Sequence, residues 1–246
     1  MADAQLSHLY DGRIRLWQPR QGYRAAIDPA FLAAATAPPP AAQVLEIGCG
    51  VGAAALPLLR RRGDISLVGL ELQPKLAALA RRNLRENALS TRALVLHGDA
   101  SKPPTCLTNR LFDWALANPP YFAAGRGGES PLGSKALAHR EGTLDLAAWI
   151  DLLLRRLRPG GGLTVIQRAD RLPDLLAALG ERAGAIAILP LWPRAGQPAA
   201  RVLVQAIKGR RSPAHLLPGL VLHRADGGYS DGAEAVLRAG QALSFT

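Results

Sequence analysis

The segment Val44-Leu45-Glu46-Ile47-Gly48-Cys49-Gly50-Val51-Gly52-Ala53 constrains this chain more than any other. An apolar run of strand length stops at Gly48, and glycine returns at Gly50 and Gly52 before an Ala- and Leu-rich stretch begins. Glycines at alternate positions let a backbone turn sharply and approach a ligand with no Cβ in the way. A helix opening there adds free N–H groups at its amino end. A strand, a tight turn and a helix in that order belong to a parallel sheet, in which ligands gather at the carboxyl ends of the strands. The dinucleotide fingerprint GxGxxG would need glycine where Ala53 stands. A tight turn without any ligand is the plain alternative. Pro57 has no N–H and costs about 3 kcal/mol deep in a helix, so the following helix must start late or kink.

The same alternation runs along the chain. Gln43–Ile47, Ile65–Leu70, Ala93–His97, Phe112–Ala117 and Leu163–Gln167 are apolar runs of strand length. Pro74–Asn87 repeats Leu76, Leu79, Ala80, Asn83 and Leu84 at helical spacing behind a first-turn proline. Thr143–Leu157 is a second helix, with Thr143 as its cap and Leu146, Trp149, Ile150 and Leu153 on one face. It stops at Arg158-Pro159-Gly160-Gly161-Gly162. Strands alternating with helices imply an α/β fold with a mostly parallel sheet. Ala185–Leu189 and Arg201–Ile207, joined by Pro193–Gln197, are a pair that closes the sheet with an antiparallel strand.

Residues 1–40 and 211–246 flank a core at 41–210, and the whole is read as one domain. In the first flank, Asp28-Pro29 opens a helix through about Thr36, with Asp28 as its cap. In the second, a strand-like Leu220–His223 precedes a Gly227-Gly228 turn and a short helix begun by Asp231. Two cysteines, Cys49 and Cys106, have no CxxC spacing, so neither a disulfide framework nor a zinc site is expected, and the histidines are not placed as metal ligands. No secretory leader or apolar span of membrane length is read, which points to the cytoplasm. The formal charge of +11 attracts polyanions, although an Arg-rich composition alone produces such a charge.

Two further signals carry chemistry. Glu71 ends the next strand nineteen residues after Gly52, the spacing at which an acid meets ribose hydroxyls. A carboxylate can accept both protons of a cis-diol. Asn118-Pro119-Pro120-Tyr121 follows the fourth strand. An amine on a planar ring is a poor nucleophile, and acceptors aimed at its N–H groups help as positive charge develops. The Asn118 side-chain oxygen and the Pro119 carbonyl are the acceptors, and the paired prolines stiffen the turn that holds them. Tyr121 and Phe122 offer flat faces for stacking a base, worth about 1–3 kcal/mol. The bland alternative is a proline turn above a buried core.

Together the glycine loop, Glu71 and Asn118–Tyr121 resemble the amino-nitrogen methyltransferases of class I. Leu16–Arg24, Ile27–Leu32, Ala138–Glu141, Leu157–Gly162 and Leu220–Tyr229 are similar to the bacterial tRNA (adenine-N6)-methyltransferases, which act on the purine beside the anticodon of a valine tRNA. The chain has Ala25-Ala26-Ile27 where that family often has glycine and threonine before Asp28. The resemblance implies a Rossmann-like class I fold, with a seven-stranded, mostly parallel sheet whose last strand is antiparallel. It implies S-adenosyl-L-methionine as cofactor, held by Glu46, Gly48, Cys49, Gly50, Gly52, Glu71, Leu72, Asp99, Ala100, Asn118 and Asp28. Glu46 would face the cofactor ammonium, and Asp99 its adenine amino group. For Asp99, a capping role in a turn is the competing reading.

Arg126, Lys135, Arg140 and Arg194 fall in loops expected at the carboxyl edge and are candidate RNA contacts. A solvated surface role stands beside each of them. The acceptor favoured is N6 of an adenine in tRNA. The alternatives are a protein glutamine amide, a DNA adenine, or an RNA-binding protein of this fold that catalyses nothing. Oligomeric state is not legible in the sequence.

Overall fold

A computed structural model describes residues 4–21, 26–120 and 144–245. Its main sheet contains β3 (Gln43–Ile47), β4 (Ser66–Glu71), β5 (Ala93–His97), β6 (Phe112–Ala117), β7 (Leu157–Arg168), β8 (Ala183–Trp192) and β9 (Arg201–Lys208). The spatial order is β5-β4-β3-β6-β7-β9-β8. β9 runs antiparallel to both its neighbours, and the other pairings among these strands are parallel. This is the expected Rossmann-like arrangement of seven mostly parallel strands with the last one antiparallel. Two short strands, β10 (His215–Leu216) and β11 (Leu220–Val221), add to β8 and make the sheet nine-stranded. Because β8 is parallel to β6 and β7, the β8–β9 connection opens at the same carboxyl edge as the glycine turn.

Helices α1 (Asp28–Ala35), α2 (Ala55–Arg61) and α3 (Pro74–Glu86) lie on one face of the sheet. The short α4 (Thr105–Thr108), α5 (Leu146–Arg156) and α6 (Leu172–Leu179) lie on the other. Alternation along β3 explains the division: Val44 joins the first core, and Leu45 and Ile47 the second. Pro57 is the third residue of α2, where its missing N–H costs no intrahelical bond. The helix does start late, after a turn in which Leu56 N–H already bonds Gly52 O.

Two caps differ from the expectation. Asp145 caps α5 by accepting from Ala148 N–H at 2.8 Å, while Thr143 lies outside the described residues. Asp28 is the first residue of α1 and not its cap: Ile27 holds that position without a side-chain bond. The Asp28 carboxylate instead meets Arg201 Nε at 3.2 Å, joining α1 to the start of β9. Asp231 opens α7 (Asp231–Glu234) as expected, and Ser230 caps it by accepting from Ala233 N–H. At Asp28 the ion pair with Arg201 takes the carboxylate a cap would need, whereas at α7 the extended Ser230 backbone suits the cap.

The amino-terminal flank holds a β-hairpin that the apolar pattern does not announce, β1 (Ala4–Leu9) and β2 (Ile14–Pro19). It lies along α3. Ile14 and Leu16 enter the first core, alongside Val236 and Leu222 from the carboxyl-terminal flank. The hinge of this packing is Asn83, which is fully buried. Its Oδ1 accepts from Trp17 N–H at 2.8 Å, and its Nδ2 donates to Trp17 O and to Val51 O, both at 2.9 Å. One amide thus ties the hairpin, α3 and the glycine turn together. Replacing it strands several backbone groups, each worth about 1–3 kcal/mol when left unmade in the interior. Asn83→Ala should therefore lower stability by about 3 kcal/mol, read from the urea midpoint, whereas Asn87→Ala, which touches the more exposed Arg15 backbone, should cost less.

Candidate active site

The turn after β3 takes the shape its glycines permit. Gly48, Gly50 and Gly52 have φ of +70°, +55° and +86°, the left-handed region closed to most side chains. The N–H groups of Gly48 and Cys49 both reach Leu70 O, at 2.8 and 3.1 Å. The Glu71 carboxylate completes the anchoring: Oε2 accepts from Gly50 N–H and Oε1 from Gln73 N–H, each at 2.8 Å. Glu71 therefore links the glycine turn to the start of α3. The Cys49 thiol faces Gly69, where a Cβ would come within 2.8 Å of Sγ.

Among the described residues, three buried side-chain polar atoms have no hydrogen-bond partner: Glu46 Oε2, Asn118 Oδ1 and Trp149 Nε1. All three border the glycine turn. Glu46, Gly48 and Asn118 line one cleft together with Pro29 and Leu32 of α1. Trp149 stands on the other side of Gly48, its ring occupying the space a Gly48 Cβ would enter at 2.8 Å. A buried polar atom left unpaired costs about 1–3 kcal/mol, so two on one cleft, with a third beside its glycine turn, indicate groups awaiting a ligand. In the sequence Trp149 reads only as one apolar position on a helix face. The signal of its donor is its register opposite Gly48, which sequence spacing does not carry.

Electrostatics point the same way. Burial, and then the neighbouring Glu71 carboxylate, push the Glu46 carboxyl up to about 8, against a stabilising contact with Ala55 N–H. Burial also raises Glu71, opposed by the N–H groups of Gln73 and Gly50. Burial, followed by repulsion from Glu46, lifts the Cys49 thiol far above its ordinary range, so it is held as a neutral apolar group. Two buried carboxyls side by side, one raised by the other, make a site favouring a cation.

The remaining expected residues are placed as follows. Leu72 is half-buried, and its carbonyl bonds His97 Nε2 at 3.0 Å. Asp99 accepts from Ser101 N–H at 2.8 Å, the turn-capping arrangement, with Ala100 packed beside the second core. Pro119 is buried and Pro120 exposed. Asp28 is engaged with Arg201 rather than facing the cleft alone. Arg194 lies at the carboxyl edge but donates to the carbonyls of Arg224 and Ala225 at 3.2 and 3.3 Å. Tyr23, Tyr121, Phe122, Arg126, Lys135 and Arg140 lie outside the described residues.

Residues 25–179 match the methyltransferase small domain family. The chain belongs to that family. It is 30% identical over 194 residues to the tRNA1(Val) (adenine(37)-N6)-methyltransferase of Aeromonas salmonicida, covering 77% of this chain and 78% of that one. It is 34% identical over 133 residues to the protein of the same name from Porphyromonas gingivalis W83, and there spans about half the relative's length, 51%. Among solved structures, a predicted O-methyltransferase from Agrobacterium tumefaciens superposes with a TM-score of 0.72 at 26% identity, over 88% of this chain and 98% of that one. The Thermus thermophilus 16S rRNA N2 G1207 methyltransferase, in complex with AdoMet and guanosine, gives 0.55 at 25% identity, over 83% of this chain and 50% of that one.

S-adenosyl-L-methionine is the methyl donor of this class, and the cleft fits it. Glu46 Oε2 is a buried acceptor with no partner, suited to an ammonium. Each Glu71 oxygen keeps a lone pair beyond its backbone bond, suited to a ribose diol. The left-handed glycines let the backbone turn tightly beside Glu46 at the cleft. Glu46 is largely protonated below about pH 8 and must ionise to pair with the ammonium. Cofactor binding should therefore release a proton near neutral pH and tighten as pH rises from 6 to 8. Calorimetry in buffers of different ionisation enthalpy checks this. Glu46→Gln should bind more weakly, with a flat pH profile and no proton release.

Proposed function

We propose that the chain transfers the methyl group of S-adenosyl-L-methionine to the exocyclic N6 of an adenine in tRNA. The observation that carries this reading is Asn118 Oδ1, a buried acceptor at the carboxyl end of β6 without a partner among the described residues, on the same cleft as Glu46. When bound, the cofactor supplies an electrophilic methyl on a sulfonium. Asn118 accepts from the adenine amino group and stabilises the positive charge that builds on its nitrogen during attack. The Pro119 carbonyl is the second acceptor, held still by Pro119-Pro120. Tyr121 stacks on the base, and a base in a structured loop is cheaper to unstack than one in a duplex. The methylated nitrogen then gives its proton to water, so no histidine base is required.

Several further observations support tRNA as the acceptor. Relatives matched over most of their length carry the tRNA name, whereas a release factor glutamine methyltransferase from Caulobacter vibrioides matches over only 42% of its chain. The formal charge of +11 favours a polyanion. Among the described residues no helix is long and apolar enough to cross a membrane, and the setting that goes with tRNA is the cytoplasm.

The test is incubation with labelled S-adenosyl-L-methionine and separate pools of bacterial tRNA, DNA and protein, followed by digestion of the tRNA to nucleosides. Label in N6-methyladenosine is expected. Asn118→Ala should lower kcat by about 100- to 1000-fold, with cofactor affinity unchanged. Label confined to DNA or protein would overturn the acceptor while leaving methyl transfer in place.

A further inference from the structure

The net charge is unevenly distributed. The hairpin at 4–21 and α3 with Asn87 at 74–87 carry seven cations (Arg13, Arg15, Arg20, Lys75, Arg81, Arg82, Arg85) against two acids (Asp11, Glu86). Those segments thus supply +5 of the chain's +11. Arg15, Arg20, Lys75 and Arg85 are exposed, and among the described residues their side chains make no ion pair or hydrogen bond. Glu86 feels Arg15 only as a more distant charge, because its carboxylate is committed to Arg82 Nε and Trp17 Nε1, both at 2.7 Å.

The carboxyl edge over β7, β9 and β8 is different. Arg168 pairs with Asp170, Arg171 with Asp174, Arg201 with Asp28, and Arg224 with Asp226 and Asp231, while Arg194 is docked on carbonyls. A phosphate arriving there has to displace an acid at each of the paired arginines. On the hairpin flank it displaces only water and counterions.

The geometry of the flank is ordered. Asn87 bonds the backbone of Arg15 at the foot of α3, and Asn83 bonds Trp17 one turn higher. β2 therefore climbs α3 from its carboxyl end to its amino end, next to Glu71. The unpaired cations are spread over about 15 Å of α3, from Arg15 and Arg85 at its foot to Arg20 and Lys75 toward its amino end. At mid-height the Arg82 guanidinium stacks 3.6 Å from the Trp17 ring centre, fixed by Glu86. Asn83 joins this surface to Val51 of the glycine turn, so its position relative to the cleft is set by a buried bond.

We propose that the β1–β2 hairpin and α3 form the surface that holds the sugar-phosphate backbone of the RNA substrate, with Arg15, Arg20, Lys75 and Arg85 as phosphate contacts. The proposal rests on the RNA reading above and deepens it. It also moves the main electrostatic contact away from Arg194 and onto the amino-terminal flank. Phosphate contacts position an RNA without reading its bases, so the effect belongs to affinity and not to the choice of methylated atom.

The test measures binding of total bacterial tRNA by anisotropy across a salt series, alongside cofactor affinity. Arg15→Gln/Arg85→Gln is compared with Arg210→Gln/Arg211→Gln, a charge-matched pair of exposed arginines just beyond β9, several strands away across the sheet. The flank pair should weaken tRNA binding on the order of tenfold and flatten the salt slope by about 0.9 for each duplex phosphate no longer neutralised, with cofactor affinity unchanged. The control pair should bind tRNA as the wild type does. Equal weakening by both pairs would show a bulk charge effect and overturn the surface assignment while keeping the RNA reading. A wild-type protein that binds cofactor but no tRNA would overturn both.

Discussion

The Glu71 carboxylate is the contact on which the site depends. It ends β4, it is buried, and both its oxygens accept from backbone N–H groups on either side, Gly50 in the glycine turn and Gln73 ahead of α3. A buried carboxylate is tolerated only when hydrogen bonds replace water. Here the same bonds lock the turn in a conformation that its left-handed glycines alone would leave loose. Glu46 stands nearby with one oxygen unmatched and its carboxyl held near neutral by burial and by Glu71. The first acid builds the site, and the second is left to meet the cation that enters it.

This division of labour is partly legible in the sequence. Local apolar runs place the glycine turn, Glu71 and Asn118–Pro120 each at a strand end, and a parallel sheet collects strand ends on one edge. The β3, β5 and β6 boundaries follow those runs because each strand is flanked by a turn residue that stops it. Bonds between segments distant in sequence are not legible. Asp28 reads as a cap because Asp-Pro commonly caps, but Arg201, 173 positions away, is its partner. The amino-terminal hairpin escapes the pattern for a related reason. Its buried residues, Ile14 and Leu16, are few, and its packing depends on Asn83, a polar residue that looks like one more position in a helical repeat.

Asn83 also shows how an amide in a core can organise structure without chemistry of its own. It is fully buried and its donors and acceptor all meet backbone groups, so it specifies one register for β2 on α3. A leucine there would pack, yet would not choose between neighbouring registers, and one residue of slip would turn Ile14 and Leu16 outward. The charged stripe on the flank inherits its order from this choice.

The contact between Gly48 and Trp149 reaches further than the turn itself. The indole edge fills the volume a methyl group at position 48 would need, so the two residues share one space contributed by segments about a hundred positions apart. Neither can grow unless the other shrinks. A smaller residue at 149 would leave a gap beside the turn that water or a bulkier cofactor analogue could enter, although the left-handed backbone at 48 would still exclude most side chains. The packing behind the turn is therefore a property of a pair, and engineering this protein to accept an enlarged methyl donor would begin at the tryptophan and leave the glycine in place.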